Sequence, residues 1–275
     1  IERTKYIQAA LDHLSNATTY ERLEPHNAQQ SIIGVEQNII KFLRDYHYSI
    51  SKDDNTFLWR SLEVNDKYIY FYITAKVHKT PWKPRPITLT AGSITHGLGR
   101  WVDQELKPIV KKLPSYIRSS AHLLERFKAI NYDPSNVSFF SCDAVSMYTN
   151  IDTAHALEVL HPFFRTSPLC AGCQADALTV ALEILMRQNV FKFGDTFWRQ
   201  KSGTAMGTPP GANYAELYYG TWEIDFADYF RTSLALYCRY IDDGIGLWIH
   251  HTDPHIDQFN FAALQATMNS FGSLE

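Results

Sequence analysis

Two runs of strand-forming residues, interrupted by two adjacent carboxylates, constrain the fold of this chain more than any other stretch. Residues 239–248 read Arg-Tyr-Ile-Asp-Asp-Gly-Ile-Gly-Leu-Trp. An Asp-Gly pair between apolar and aromatic residues is a strong hairpin signal, so Asp242 and Asp243 are expected at or beside the tip of a tight turn. Two like charges this close need compensation. Either one carboxyl group takes a proton, or a divalent cation neutralises the pair.

The composition excludes several classes of protein. With 275 residues, 45% of them hydrophobic, the chain can bury a full core. It has no run of about 18 apolar residues and no signal-peptide pattern, so neither a membrane partner nor secretion is expected. Four cysteines suit a reducing compartment, nuclear or cytoplasmic. Because the net charge is −3, any nucleic-acid site must be local.

A third carboxylate follows another predicted strand. Residues 137–142 read as a buried strand that delivers Asp143 at its end. A lone Asp at a strand end is more often a cap or turn residue. If this strand shares a sheet with the hairpin, however, Asp143, Asp242 and Asp243 converge at one edge. Three such carboxylates can hold two Mg²⁺ ions for an in-line phosphoryl displacement, with Mn²⁺ as the alternative ion.

A loop rich in glycine and proline lies between these acids. Residues 200–211 read Gln-Lys-Ser-Gly-Thr-Ala-Met-Gly-Thr-Pro-Pro-Gly, and a helix is predicted over 212–229. The glycines allow the backbone to approach a ligand closely before a helix starts. By itself the loop is weak evidence of a ligand-binding site, and its position between two strands that carry acids strengthens that evidence.

A basic hairpin is predicted upstream. A strand over residues 68–74 is followed by a segment broken by three prolines and by a return strand over 87–89. Lys76, Lys79 and Arg85 lie in or beside the connecting segment. The tyrosines of the first strand could stack on bases, although core packing is the favoured expectation.

The order of these segments resembles the palm of reverse transcriptases. Asp143 with an aromatic residue downstream, Gly-Thr-Ala-Met-Gly-Thr-Pro and Tyr-Ile-Asp-Asp are similar to motifs A, B and C of that family. Lys-Val-His-Lys over residues 76–79 and Arg-Pro-Ile over 85–87 are similar to its fingers motifs. The Lys-Val-His-Lys motif, together with Asp-Ala-Val-Ser-Met-Tyr-Thr-Asn-Ile over 143–151, most resembles the sequences of Penelope-like retroelements.

The resemblance implies an α+β fold, the fingers and palm of a right-hand polymerase, with an antiparallel palm sheet packed on helices. We expect an N-terminal helical region over residues 1–60, fingers over 61–135 and palm over 136–275. The chain begins without Met, and we expect it to be a piece that stops before the thumb. The parent chain is expected to add the thumb, with an endonuclease domain as a further candidate.

The resemblance also implies roles for single residues. Asp143, Asp242 and Asp243 are the expected catalytic acids and metal ligands, with Asp242 preferred over Asp243. Tyr148 matches the steric gate that leaves no room for a ribose 2′-OH, which favours dNTPs. Nucleotide binding is further expected from Lys76, Lys79, Arg85, Met206 and Gly207. Gly203 and Tyr240 are expected to lie toward the template and primer.

Three functions are compatible with these residues. The expected one is RNA-directed DNA polymerisation, with an RNA template, a DNA primer, dNTPs and two Mg²⁺ ions. An RNA-directed RNA polymerase would share the acids but needs groups that read the ribose 2′-OH, where this chain has Tyr148. A non-catalytic or domesticated nucleic-acid-binding derivative is the third.

Overall fold

The computed structural model describes residues 2–77, 80–170 and 172–271. Within those residues the helices are α1 (Arg3–Leu14), α2 (Pro25–Asp45), α3 (Lys52–Arg60), α4 (His96–Val110), α5 (Ser120–Lys128), α6 (Met147–Asn150), α7 (Thr153–Thr166), α8 (Cys173–Arg187), α9 (Gly211–Tyr229) and α10 (Pro254–Ser270). The strands are β1 (Tyr20–Leu23), β2 (Ile69–Lys76), β3 (Lys83–Leu89), β4 (Val137–Asp143), β5 (Val190–Phe193), β6 (Thr196–Gln200), β7 (Leu234–Tyr240) and β8 (Asp243–Ile249).

The chain divides into two compact units, each built from two stretches of sequence. The first unit comprises Ile1–Leu106 and Ile151–Gly211, and the second comprises Lys107–Asn150 and Ala212–Glu275. The assignment of segments to an N-terminal region, fingers and palm stays a prediction. No helix in the described ranges is both long and apolar enough to span a membrane.

A five-stranded sheet in the order β1-β6-β5-β2-β3 organises the first unit. Its ladders are antiparallel except the one between β2 and β5. Ile69, Phe71 and Ile73 of β2 are buried in a cluster with residues of α1, whereas Tyr70 and Tyr72 point outward. This alternation is the pattern of a strand with one face buried. The predicted pairing of β2 with a return strand is confirmed, since β3 runs antiparallel to it.

Strand β1 was not expected from the sequence, because residues 1–60 are predicted to form a helical region. It separates α1 from α2 and pairs with β6, with Tyr20 opposite Gln200. Pairing with a distant strand here outweighs the local helical pattern around it. Strands β5 and β6 form a hairpin with a Gly194-Asp195 loop, and Gly194 has the positive φ of 57° that such a loop requires.

A three-stranded antiparallel sheet in the order β4-β8-β7 organises the second unit. One face packs on α9 and α10 through a cluster that includes Phe226, Trp248 and Leu264. The other face contributes Cys238 and Leu247 to a second cluster, against which residues of α5 pack. The central strand β8 is therefore covered on both faces, and the prediction of an antiparallel sheet packed on helices is confirmed.

One local prediction in this unit is wrong. Residues 137–142 are not a buried strand: β4 is the edge of the sheet, and Phe139 is 59% exposed. The Asp-Gly pair lies beside the tip of the β7–β8 hairpin, because β7 ends at Tyr240 and β8 begins at Asp243. Gly244 lies within the strand, where an added Cβ would be 2.3 Å from the sulfur of Cys142. Close packing, rather than the turn, requires this glycine.

Candidate active site

The β7–β8 hairpin turns through Ile241 and Asp242. Ile241 has φ of 57°, a left-handed conformation that a β-branched residue rarely adopts. Asp242 is exposed at the turn, and Asp243 is exposed at the first position of β8. The expectation that both acids lie at or beside the turn is therefore confirmed.

Register brings Asp143 directly opposite Asp243 in the ladder between β4 and β8. The backbone N–H of Ala144 donates to the carbonyl of Asp242 at 2.9 Å. This bond marks the two aspartates as a non-hydrogen-bonded pair, the type in which facing side chains approach most closely. Both side chains lie on the same face of the sheet. Among the described residues of the second unit, no cation forms an ion pair with these carboxylates or with that of Asp242. The sheet thus gathers negative charge at one exposed edge.

Tyr148, the predicted sugar gate, lies on the short helix α6 that follows β4. Ser146, just before this helix, also has a positive φ of 55°. Burial raises the pKa of the Tyr148 hydroxyl, and the negative charges of Asp242 and Glu216 raise it further. The phenol is therefore half-buried within electrostatic reach of the turn acid, and at neutral pH it stays protonated.

A buried ion cluster beneath the turn was not anticipated from the sequence. The Arg239 side chain is 2% exposed and pairs with Glu216 and Glu223 of α9. Burial alone would lower the pKa of Arg239, but the charges of Glu223 and Glu216 outweigh it, so the pKa is raised and the guanidinium stays charged. A signal existed: two glutamates seven residues apart share one face of the predicted helix over 212–229.

A groove of about 580 Å³ lies beside the acids in the second unit. Its lining includes Asp243, Tyr240, Arg118 and the apolar side chains of Ile117 and Leu123. Tyr240 is 47% exposed, as a residue that contacts a bound strand must be. Its predicted contact with the primer stays a prediction.

The basic hairpin of the first unit presents its charges on the outer face of the sheet. Thr74 is opposite Arg85 and Lys76 is opposite Lys83 in the β2–β3 ladder, and Arg85 is exposed. Lys79, predicted to assist nucleotide binding, lies outside the described residues. Tyr70 is 44% exposed on the same face. The expectation of core packing for this tyrosine is therefore wrong, because β2 buries only its other face.

The glycine-rich loop docks on this hairpin within the first unit. The carbonyl of Met206 accepts bonds from the backbone N–H of Thr88 at 2.6 Å and from its hydroxyl at 2.9 Å. Gly207 has φ of 108°, and a Cβ there would lie 2.5 Å from the carbonyl oxygen of Thr88. Gly203 is buried, with φ of 73°. Packing on β3 thus requires Gly207, and the predicted contacts of these three residues with nucleotide or template stay predictions.

The donor set fits a magnesium ion held jointly by protein and substrate. Within the described ranges, no group of three or more His, Cys, Asp or Glu side chains is arranged to hold a metal by itself. Mg²⁺ commonly takes one or two carboxylates and completes its shell with substrate phosphates and water. The exposed pair of Asp143 and Asp243, with Asp242 adjacent, offers hard oxygen donors that no cation in the described part of the second unit pairs with. Metal binding by these acids stays a prediction.

Comparison with solved structures identifies the fold. The chain is similar to apo telomerase from Candida tropicalis truncated from the C-terminal domain, with TM-score 0.55 and 11% identity, covering 78% of this chain and 49% of that one. It is similar to telomerase from Candida albicans in complex with the TWJ fragment of telomeric RNA, with TM-score 0.50 and 12% identity. The similarity covers 76% of this chain and 42% of that one. It is also similar to telomerase from Candida tropicalis in complex with the TWJ fragment of telomeric RNA, with TM-score 0.55 and 11% identity, covering 80% of this chain and 42% of that one.

These similarities establish a reverse transcriptase-like polymerase fold. The chain spans less than half the length of these telomerase structures. No protein-family model and no curated protein matches it. The prediction of a polymerase fold is confirmed, whereas the likeness to Penelope-like elements rests on the sequence motifs alone.

Proposed function

We propose that the chain is an RNA-directed DNA polymerase of a Penelope-like retroelement, which adds dNTPs to a primer 3′-OH. The observation that carries the proposal is the meeting of Asp143, Asp242 and Asp243 at one exposed end of the palm-like sheet. Like charges placed directly opposite each other destabilise a sheet. Their presence together is explained if they serve a cation and a phosphate-bearing substrate.

Each residue has a proposed role in this reaction. Asp143 and one or both hairpin acids hold Mg²⁺, which supplies charge neutralisation and activation of the attacking oxygen when bound. Arg85 and Lys76 bind the triphosphate, because a guanidinium makes bidentate contacts with phosphate and an ammonium adds a point charge. Tyr148 excludes the ribose 2′-OH.

Two observations support nucleic acid as the partner. Tyrosines and basic residues share the outer face of the first sheet, and such faces bind bases by stacking and the backbone by charge. Two of the similar telomerase structures are in complex with a fragment of telomeric RNA. An RNA template and a DNA primer are therefore proposed as the macromolecular substrates.

Primer extension tests the proposal. The chain is incubated with an RNA template annealed to a DNA primer, dNTPs and Mg²⁺ or Mn²⁺. We expect extension that Asp143→Asn and Asp242→Asn each reduce by about 100-fold or more, since a metal site supplies several kcal/mol of transition-state stabilisation. Asp195→Asn, in the exposed loop between β5 and β6, is the matched control and is expected to retain activity.

The outcomes separate the three functions. Full activity of Asp242→Asn contradicts the proposal. Faster use of rNTPs than dNTPs by the unmodified chain indicates an RNA polymerase. Template–primer binding that is independent of Mg²⁺ and Mn²⁺, without extension under any of these conditions, indicates a non-catalytic binding derivative.

A further inference from the structure

The buried cluster around Arg239 satisfies every donor of its guanidinium. Nε and one Nη2 proton bind the carboxylate of Glu223. Nη1 donates to the Glu216 carboxylate at 3.2 Å and to the carbonyl of Ile241 at 2.8 Å. The remaining Nη2 proton binds the backbone carbonyl of Glu216 at 3.0 Å. Five donors with five acceptors fix the orientation of the side chain.

The same cluster holds both backbone polar groups of Ile241. The Ile241 N–H donates to Oε1 of Glu216 at 3.1 Å, and its carbonyl accepts from Arg239. Ile241 is the residue whose left-handed backbone is unfavourable for a β-branched side chain. Such a conformation persists only where surrounding contacts over-determine it. Here the contacts come from one arginine and one glutamate.

The conformation of Ile241 sets the position of Asp242. The next carbonyl, that of Asp242, accepts from the N–H of Ala144 at 2.9 Å. Ala144 immediately follows Asp143 in the chain. The turn is therefore tied on one side to the buried cluster and on the other to the strand end that carries the third acid.

We propose that Glu216 and Arg239 are positioning residues that hold the Ile241–Asp242 turn and thereby fix the Asp242 carboxylate beside Asp143. This inference rests on the proposed polymerase function. Glu216 and Glu223 differ in one respect that makes the inference testable. Both are buried on α9 and both pair with Arg239, but only Glu216 binds the turn; Glu223 instead accepts from the hydroxyl of Ser115.

Matched substitutions separate positioning from simple stability. Glu216→Met and Glu223→Met each remove one buried carboxylate and keep similar volume. We expect Glu216→Met to lower kcat for dNTP addition by about 10- to 100-fold with KM for dNTP within about twofold, because small misplacement of a reacting group has effects of this size. Glu216→Gln keeps an acceptor for the Ile241 N–H and should recover most of kcat. Glu223→Met should lower kcat less than Glu216→Met does, because it frees two donors of Arg239 but leaves Glu216 bonded to the Ile241 N–H.

Hydrogen exchange of the peptide spanning residues 239–244 gives a readout that does not depend on turnover. Glu216→Met should expose the Ile241 amide to exchange, whereas Glu216→Gln and Glu223→Met should leave it protected. Equal losses of kcat in the two Met variants, or unchanged protection in Glu216→Met, would overturn the positioning role. If the unmodified chain extends no primer, the polymerase proposal fails, and hydrogen exchange alone then decides whether Glu216 holds the turn. Should either Met variant fail to fold, the comparison of Glu216→Gln with Arg239→Lys replaces it: Lys cannot supply five donors, so kcat falls only for Arg239→Lys.

Discussion

Removal of one of the two facing aspartates should make the metal-free protein more stable. Asp143 and Asp243 form a non-hydrogen-bonded pair, in which Cβ atoms lie about 4.5–5.5 Å apart. With carboxylate centres about 6 Å apart in a medium close to water, the Coulomb energy is about 0.7 kcal/mol. At physiological ionic strength, screening reduces it to about 0.3 kcal/mol. Asp143→Asn should therefore raise the free energy of unfolding by about 0.5 kcal/mol in low salt.

Urea unfolding at two salt concentrations measures this effect. The increase in the free energy of unfolding caused by Asp143→Asn should be smaller in high salt, and Asp243→Asn should show the same salt dependence. The double variant should gain little beyond either single one, because the repulsion is lost only once. Asp195→Asn, in the exposed β5–β6 loop of the first unit, is the control and should change stability by a smaller, salt-independent amount.

Added Mg²⁺ should reverse the order of stability. An ion that binds only the folded protein stabilises it by RT ln(1 + c/Kd), where c is the concentration of free ion, so the unmodified chain, which binds the ion more tightly, should gain more stability from Mg²⁺ than Asp143→Asn. The reasoning is refuted if Asp143→Asn destabilises the metal-free chain by about 1 kcal/mol or more, or if its effect is the same at all salt concentrations.

Three further predictions follow from single contacts. Gly207→Ala should destabilise by about 1–3 kcal/mol, measured by urea unfolding, because its Cβ would meet the Thr88 carbonyl at 2.5 Å and its φ is 108°; an unchanged midpoint contradicts this. Tyr148→Ala should raise rNTP relative to dNTP incorporation in primer extension, and an unaltered ratio would exclude the gate. The hydrogen bond from His250 lowers the pKa of Asp257 from 3.8 to about 2. The ionised Asp257 therefore stabilises the folded protein above about pH 4, and this stabilisation is lost between about pH 4 and 2. Acid unfolding of Asp257→Asn should lack this loss of stability.

Local patterns were sufficient to predict the meeting of the acids. An Asp-Gly pair between two runs of strand-forming residues predicted the β7–β8 hairpin, and an apolar run ending in Asp143 predicted β4. Both signals lie within ten residues, where turn chemistry and strand propensity act. The pairing of β4 with β8 was a condition of the expected convergence, and the structure meets that condition.

Register and long-range burial could not be predicted in the same way. The Asp-Gly signal predicted acids at or beside the turn but not which residues form it, because Gly244 is required by the close approach of Cys142 and not by the turn. The facing partner of Asp143 is consequently Asp243, although Asp242 was the preferred ligand from the sequence. The arginine cluster also escaped prediction, since Arg239 and Glu216 meet only when α9 packs on the sheet.

The division of the chain into two discontinuous units has a consequence for how it folds. Strand β4 pairs with β8 across about a hundred residues of intervening sequence, most of which belongs to the other unit. Contacts so distant in sequence incur a loop-closure entropy and slow folding. Strand β4 therefore has no β8 to pair with until residues 243–249 have been synthesised. Expressing residues 136–275 alone would omit residues 107–135 of the second unit. It would also remove Tyr116, whose backbone forms an isolated bridge with Arg239. A stable truncation of this protein has to respect spatial neighbours and not sequence boundaries.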